Sequence, residues 1–470
     1  MKKLSFYILL FVMGGLSPML TSCSGYLDNM PKGVKVPTTL SDFEALLRDE
    51  YTAQRVDVTQ ALVLLNDRYV SPSSLSYYPL YKANYFWDET ADRIALNNSD
   101  EGTYYDTYES ISSCNLILSN VGTATDATES ERNILTAQCK VLRAMNYFNL
   151  VNFYSDTYDA STASTKGGIP LITSAEVNAA YTQPSVQAIY DFILKDLSEA
   201  EPYLPTESAT ILHPNIGTEY AFSARVYLQM SNYSKALEYA NKALACNDSL
   251  YDWTAYYAAN KTLIENPTTY QTTASPMGYT YPENYNYRHG SSNNSSSENQ
   301  LTVDRASLFE AGDARFASRW KKRTVGSNTY YASITSGFYN YGGMTTTEVY
   351  LIKAECLART QKVSDAMDVL NKVRKTRILS AYYQPLTATD AVDAVKKIRA
   401  VKNNEMILTI VPFADARRFN LDSNYASTLT KTVGGTTYTL KPDSYMWTMP
   451  FPAGAVKNSG NGTITQNVKK

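Results

Sequence analysis

The chain has 470 residues, of which 44% are hydrophobic and 19% are charged. These are the values of globular proteins, so intrinsic disorder is not expected. The 43 basic and 45 acidic residues leave a formal net charge of −2, which argues against a nucleic-acid-binding surface. Beyond the N-terminal apolar stretch, no apolar run is long enough to cross a bilayer.

The N-terminus has the pattern of a bacterial export signal. Lys2 and Lys3 precede a short apolar run, and small residues follow that run. The sequence "LTSC" at residues 20–23 then places an aliphatic residue at −3 and a small residue at −1 before a cysteine. This arrangement resembles the lipobox of bacterial lipoproteins. We therefore expect residues 1–22 to be a lipoprotein signal peptide and Cys23 to be acylated; a plain signal peptide with an incidental cysteine is the alternative.

Several segments carry apolar residues at spacings of three and four, which predicts amphipathic helices. The segments that begin at Ala224 and Ala354 match each other, 130 residues apart, in the placement of their small residues. Small residues at these positions are typical of tetratricopeptide (TPR) helix pairs, because alanines allow two helices to approach closely. Ordinary amphipathic hairpins are the alternative interpretation. We expect TPR-like helix pairs around 136–201, 219–246 and 347–375.

Tyrosine is unusually frequent, with 39 residues against 14 Phe and 4 Trp. A tyrosine ring combines a flat apolar face with a hydroxyl group, which suits wet recognition surfaces. The tyrosines cluster in two loop-rich regions, 66–108 and 251–343. These regions are expected to form an irregular, ligand-binding lobe, and the "YYASITSGFYNYGG" stretch at 330–343 is the candidate for short strands within it.

A series of motifs along the chain resembles the SusD/RagB family of surface lipoproteins, in the order that the family has them. The motifs are the lipobox with "YLD", then "YYDTYESISSCNLIL", "LRAMNYFNLV", "GGIPLI", "YDFILKDLSEAEPYLP", "AGDAR", "EVYLIKAECLAR", "VLNKVR" and "MPFP". The resemblance covers nearly the whole chain. It implies a mostly α-helical fold, in which about four TPR-like helix pairs pack as a superhelical scaffold and carry a loop-rich lobe with short strands.

The same resemblance implies a function in nutrient uptake. The protein would be a surface-exposed lipoprotein of the outer membrane, held there by its N-terminal lipid and facing the cell exterior. It would capture oligosaccharide or polysaccharide and deliver it to a SusC-like TonB-dependent transporter. The alternatives are a peptide-binding, RagB-like subunit of the same transporter type, a TPR protein-interaction scaffold and a glycosidase.

Two departures from the family pattern bear on this expectation. The family's "GDPR" motif has Ala314 in place of its proline, and Pro412 interrupts a segment that is helical in the family. These changes leave the expected fold intact, but they weaken any transfer of ligand class from the best-known members. Asp313 and Arg315, within the altered motif, are expected to pair with each other or to cap a local turn.

Motifs of enzymatic chemistry are absent from the sequence. It has no nucleophile elbow, no zinc-binding His-Glu-x-x-His, no phosphate-binding loop and no dinucleotide fingerprint. We therefore expect no catalytic residues, no metal and no cofactor. His213 and His289 are expected to be exposed loop residues. The remaining cysteines are expected to be buried free thiols: Cys114, Cys139, Cys246 and Cys356.

A sugar-binding site should be shallow and aromatic, since sugar rings have apolar C–H faces and polar edges. Two tyrosine-rich stretches fit this description: the first cluster, Leu65 to Asp88, and the second cluster, Tyr279 to Gly290. The family's known ligand sites use aromatics from these two parts of the chain. The expected ligand-binding residues are Asp67, Tyr81, Tyr85, Trp87, Tyr279, Tyr281, Tyr285, Tyr287 and Arg288. The alternative is that these tyrosines pack the lobe onto itself.

Overall fold

The computed structural model describes residues 37–97, 101–176, 178–266, 268, 273–289, 300–336 and 339–469. Contacts along the chain define one unit from Thr39 to Lys470. The expected signal peptide and Cys23 lie outside the described residues, so the predicted lipid anchor stays a prediction.

Eighteen α-helices lie within the described ranges. They are α1 (Leu40–Leu47), α2 (Thr59–Leu65), α3 (Pro72–Tyr77), α4 (Pro79–Phe86), α5 (Arg93–Leu96), α6 (Gly102–Asn120), α7 (Glu129–Tyr154), α8 (Val186–Ala200), α9 (Ile216–Gln229), α10 (Tyr233–Cys246), α11 (Trp253–Glu265), α12 (Val303–Ala306), α13 (Ala314–Arg319), α14 (Thr346–Arg359), α15 (Val363–Lys375), α16 (Ala391–Glu405), α17 (Val411–Phe419) and α18 (Ala453–Lys457). The mostly helical fold class predicted from the sequence is confirmed.

The longer helices pack in pairs along the chain. Helices α7 and α8, α9 and α10, and α14 and α15 pack as antiparallel neighbours in the three predicted regions, and α10 also packs against α14. The longest of these helices, α7, begins with a capping box, in which Thr128 and Glu131 satisfy each other's backbone N–H groups. Ala236 on α10 and Ala366 on α15 are fully buried, as the close-crossing interpretation requires.

Buried ion pairs connect neighbouring helices. Arg143 on α7 binds Asp196 on α8 through two hydrogen bonds of 2.8 Å, and Arg225 on α9 binds Glu348 on α14 through two of 2.6 Å. Such two-pronged pairs fix geometry, because the planar guanidinium matches the carboxylate. Removing one partner would leave a buried charge without compensation, which costs about 3 to 5 kcal/mol in other proteins.

Three two-stranded sheets occur in the part of the chain that the structure describes. The β2–β3 hairpin (Trp320–Val325 and Asn328–Ser333) is antiparallel, with Val325 opposite Asn328. The β5–β6 hairpin (Leu429–Val433 and Thr436–Leu440) is also antiparallel and turns at two glycines with positive φ. The short strands β1 (Thr273–Ala274) and β4 (Thr335–Ser336) pair in parallel. The end of β3 and all of β4 lie in the stretch 330–343, where short strands were expected, and the other strands lie outside it.

Some local expectations are wrong. His213 and His289 are buried rather than exposed: a ring nitrogen of His213 lies 3.3 Å from the Glu44 carbonyl, and His289 lies 2.9 Å from the Glu50 carboxylate. Glu44 lies on α1 and Glu50 lies just after it, so both histidines contact this part of the chain. Cys246 is exposed, because it is the last residue of α10; the other three cysteines are buried free thiols.

Two other expectations hold. Asp313 is the N-cap of α13, where its carboxylate accepts from the backbone N–H groups of Arg315 and Phe316 and also pairs with the Arg315 side chain. Its role is therefore structural. Pro412 lies in the first turn of α17, where a proline is tolerated, and a separate helix, α16, ends at Glu405 before it.

Candidate ligand-binding cleft

A cleft of about 590 Å³ lies between helices α2 to α4 and the β2–β3 hairpin. Its wall is both aromatic and polar. The lining residues are Thr59, Val63, Arg68, Tyr69, Val70, Ser71, Ser74, Tyr78, Tyr81, Gln300, Val325, Asn328 and Tyr330. This volume lies within the range of small-molecule sites in proteins.

The helical side of the cleft is shaped by short helices that begin and end within a few residues. Ser71 caps α3 by accepting from the Ser74 N–H group at 3.1 Å, and a proline follows at the first helical position. Pro79 begins α4 in the same way. The backbone N–H of Tyr69 donates to the Gln300 carbonyl at 2.8 Å, which ties this wall to the segment that leads toward the hairpin. The aromatic residues of the wall are thus held on short, anchored elements.

Aromatic rings form the main apolar surface of the cleft. Tyr69 stacks on Tyr330 with 4.5 Å between ring centroids and 11° between ring planes. Tyr78 contacts Tyr81 at 5.0 Å and Tyr77 at 4.7 Å. Tyr78 is 48% exposed, so its ring stands at the cleft mouth with a face in solvent. Flat, partly exposed rings beside hydroxyl groups are the arrangement that a sugar ring requires.

The Tyr69 and Tyr81 phenols are neutral over the physiological pH range. Burial raises the pKa of Tyr69, and Tyr330 raises it further. Burial also raises the pKa of Tyr81, with a smaller contribution in the same direction from Asp57. Their hydroxyl groups therefore remain available as both donors and acceptors of hydrogen bonds.

The first cluster contributes only some of its expected residues to this cleft. Tyr81 lies on the wall, whereas Asp67 is buried and pairs with Arg305 at 2.7 Å. Trp87 is 7% exposed, and its indole N–H donates to the Leu64 carbonyl at 2.7 Å. Tyr85 is half-buried and lies beside it. The Trp87 ring therefore belongs to the core, and the ligand-binding role expected for Trp87 stays a prediction.

The second cluster mostly faces inward. Tyr281, Tyr285 and Tyr287 are buried, and the Tyr285 hydroxyl donates to the Asn247 carbonyl at 2.7 Å. Arg288 is also buried and donates to Asn146 at 2.7 Å. Tyr279 is the exception at 44% exposed, and its hydroxyl donates to the Glu50 carboxylate.

The structure does not bring the two clusters together at the cleft. Among the described residues of the wall, none comes from the second cluster. The packing alternative therefore describes the geometry of the second cluster better than an open aromatic platform does. A ligand-binding role for its residues stays a prediction.

The sequence reasoning missed the opposite wall of the cleft. Val325, Asn328 and Tyr330 come from the β2–β3 hairpin, and Gln300 precedes it in the chain. A signal was present: Gly326-Ser327 lies between two stretches with strand propensity, and Gly326 has a φ of 59°. What the sequence could not show is that this hairpin faces α3 and α4.

The structure also bears on two other kinds of feature, a metal site and a membrane-crossing helix. Within the described ranges, no group of three or more His, Cys, Asp or Glu side chains is arranged to hold a metal ion. Across the same residues, none of the helices combines the length and apolar character that a membrane-crossing helix needs.

Comparison with known sequences identifies relatives. Residues 25–228 match the SusD-like_3 family, described as "Starch-binding associating with outer membrane". A SusD-like protein P2 from Formosa agariphila is 29% identical over 150 residues, which cover 31% of this chain. The matched region spans only 27% of the length of that relative.

Solved structures share the fold over nearly the whole chain. A SusD superfamily protein from Bacteroides vulgatus matches 92% of this chain and 99% of its own, with a TM-score of 0.70 and 16% identity. A SusD-like carbohydrate binding protein from the same species matches 92% and 100%, with a TM-score of 0.66 and 19% identity. A laminarin binding SusD-like protein matches 93% and 100%, with a TM-score of 0.62 and 17% identity.

The structure combines a helical, TPR-like fold with a cleft whose wall carries aromatic rings. The sequence match over residues 25–228 and the shared fold both support the resemblance to the SusD/RagB family. The resemblance drawn from its motifs is thereby confirmed. The family is carbohydrate-binding and associated with the outer membrane.

Proposed function

We propose that this protein is a glycan-binding lipoprotein of the outer-membrane surface, and that it binds oligosaccharide in the cleft between α2–α4 and the β2–β3 hairpin. The observation that carries this proposal is the cleft wall itself. It combines the Tyr69–Tyr330 stack and the exposed ring of Tyr78 with hydroxyl and amide groups. The laminarin-binding relative of the same fold supports a glycan as ligand.

The proposal includes the membrane anchor and the partner expected from the sequence. Cys23 would carry the lipid after removal of residues 1–22, and the protein would face the cell exterior. There it would deliver its ligand to a SusC-like TonB-dependent transporter. Metabolic palmitate labelling tests the anchor, since Cys23→Ala should abolish the label. Co-purification from detergent-solubilised membranes tests the partner.

Titration calorimetry of the purified protein against a panel of oligosaccharides and peptides tests ligand binding. Tyr69→Ala and Tyr78→Ala should each weaken the tightest interaction, because each removes a ring from the cleft. By analogy with base stacking, a ring contributes about 1 to 3 kcal/mol. That range corresponds to a loss of about 5- to 150-fold in affinity.

Tyr203→Ala is the matched control. Tyr203 is also an exposed tyrosine, but it lies in a short helical turn after α8 and not on the cleft wall. The control should bind like the parent protein. If both cleft variants also bind like the parent, the cleft is not the binding site. If only peptides bind, the peptide-binding alternative replaces the glycan proposal.

A further inference from the structure

Among the described residues of the cleft wall, the formal charge has one sign. Arg68 is the one residue there with a formal charge, and no Asp or Glu lies among the lining residues that the structure describes. The whole chain has a formal net charge of −2, so a cationic cleft is a local departure from its average. A site for neutral sugars alone needs no such bias.

Acidic residues near the cleft have partners within the protein. Asp67, next to Arg68 in the chain, is buried against Arg305. The Asp57 carboxylate accepts from the Thr59 backbone N–H at 2.7 Å and from the Thr103 hydroxyl at 3.2 Å. Glu101 accepts from Tyr154, and burial raises the pKa of its carboxyl group to about 7. None of these carboxylates is among the described residues that line the cleft.

The hairpin places a second arginine on the cleft side. Val325 and Asn328 form a cross-strand pair, and both line the cleft. Arg323 is two residues before Val325 and directly opposite Tyr330, which also lines the cleft. Because side chains alternate along a strand and cross-strand partners share a face, Arg323 projects from the same face of the hairpin. Its side chain is exposed.

An arginine side chain binds an anionic ligand through its geometry as well as through its charge. The planar guanidinium matches a carboxylate or sulfate with two parallel N–H···O bonds. Arg68 and Arg323 each make a contact within the protein. A guanidinium has five N–H donors, so an existing protein contact leaves donors for a ligand.

We propose that the cleft selects oligosaccharides that carry an anionic group, a ring carboxylate or a sulfate, which Arg68 binds while the adjacent tyrosines stack on the sugar. Arg323 reinforces the attraction from the hairpin side. This inference rests on the proposed glycan-binding function and narrows its substrate class.

The test uses matched pairs of charged and neutral probes in titration calorimetry. Tetragalacturonic acid is compared with its methyl ester, and a sulfated galactan tetrasaccharide with its desulfated form; maltotetraose is the uncharged reference. In at least one pair, the charged member should bind at least tenfold more tightly. The pair that shows the preference identifies carboxylate or sulfate as the recognised group. Raising the salt concentration should reduce the preference.

Arg68→Gln should remove the preference, so that the charged and neutral members of the pair bind with similar affinity. Arg68→Lys should restore only part of it, because lysine retains the charge but lacks the planar fork. Arg48→Gln is the control, since Arg48 is an exposed arginine at the end of α1 and is not on the wall. The melting temperatures of the variants show whether each one is folded.

The possible failures are distinguishable. If maltotetraose or another neutral probe binds as tightly as the charged probes, and Tyr78→Ala weakens that binding, glycan binding stands and the acidic preference is refuted. An Arg68→Gln variant that keeps the full preference also refutes it. If none of the oligosaccharides binds, both the inference and the proposed function fail.

Discussion

The ammonium group of Lys431 lies 3.6 Å from the centroid of the Tyr85 ring and 4.6 Å from that of Trp87. Asn66 accepts a hydrogen bond of 2.7 Å from the same group. Burial lowers the pKa of Lys431 to about 7, while the ring faces and the Asn66 oxygen favour its charged form. A side chain of the β5–β6 hairpin thus covers the ring faces that the sequence suggested for a sugar.

Replacing Lys431 should therefore loosen the contact between this hairpin and α4. Lys431→Ala removes both the cation and the methylene stem, and we expect a loss of about 1 to 2 kcal/mol in the free energy of unfolding. Lys431→Met retains an apolar chain over the rings and should lose less. Urea denaturation measures the free energy of unfolding of both variants. If both variants are as stable as the parent protein, the contact of Lys431 with the rings does not contribute to stability.

Trp87→Ala should mainly lower the stability of the fold. The indole is buried, its N–H donates to Leu64, and the residue closes α4 with a positive φ of 51°. Loss of a buried aromatic ring costs about 3 to 5 kcal/mol in protein cores. We expect a clear fall in melting temperature, whereas Tyr78→Ala, at the cleft mouth, should melt close to the parent. A Trp87→Ala protein with unchanged melting would show that the ring is not part of the core.

The close helix crossings can be tested by overpacking. Ala236→Phe on α10 and Ala366→Phe on α15 each insert a ring where no space exists, at an expected cost of at least about 1 to 3 kcal/mol. Ala245→Phe is the control, because Ala245 lies on α10 with its side chain exposed. Thermal unfolding of the three variants is the measurement. Equal melting of all three would contradict the TPR-like packing.

A buried carboxyl group makes stability depend on pH. Glu219 on α9 is buried and accepts from the Ser223 hydroxyl at 2.6 Å. Burial raises its pKa from 4.5 to about 8. A carboxyl group whose pKa is raised by folding stabilises the fold below its unfolded pKa, and that contribution is lost as the pH rises through the folded value.

The free energy of unfolding should therefore fall between pH 4.5 and about 8 in the parent, relative to Glu219→Gln. Glutamine keeps an acceptor for Ser223 but does not titrate, so the difference between the two proteins isolates this group. Urea denaturation at several pH values provides the comparison. Parallel pH profiles for parent and variant would show that Glu219 titrates normally.

Helix pairing could be predicted from the sequence because it depends on local periodicity. The matching small residues around Ala236 and Ala366 mark positions where two helices must approach, and such positions recur within each pair. The capping of α13 by Asp313 was predictable for the same reason, since donor and acceptor lie two or three residues apart.

The cleft could be predicted only in part. Tyr81 was identified from a local excess of tyrosine, but its partner wall comes from residues 325–330, about 250 positions away in the chain. Whether a tyrosine packs or stays open depends on contacts that span such distances. The contact of Lys431 with Tyr85, and the pairing of His289 with Glu50, are of this kind. Composition carries no information about either.

Hydrogen–deuterium exchange, with and without the tightest-binding oligosaccharide of the panel, tests the central claim most directly, because it reports where the ligand binds. If the ligand binds in the cleft, exchange should be slower with the ligand in residues 59–81 and in the β2–β3 hairpin at 320–333. Protection confined to the second cluster at 279–289, with both cleft segments unchanged, would contradict the account.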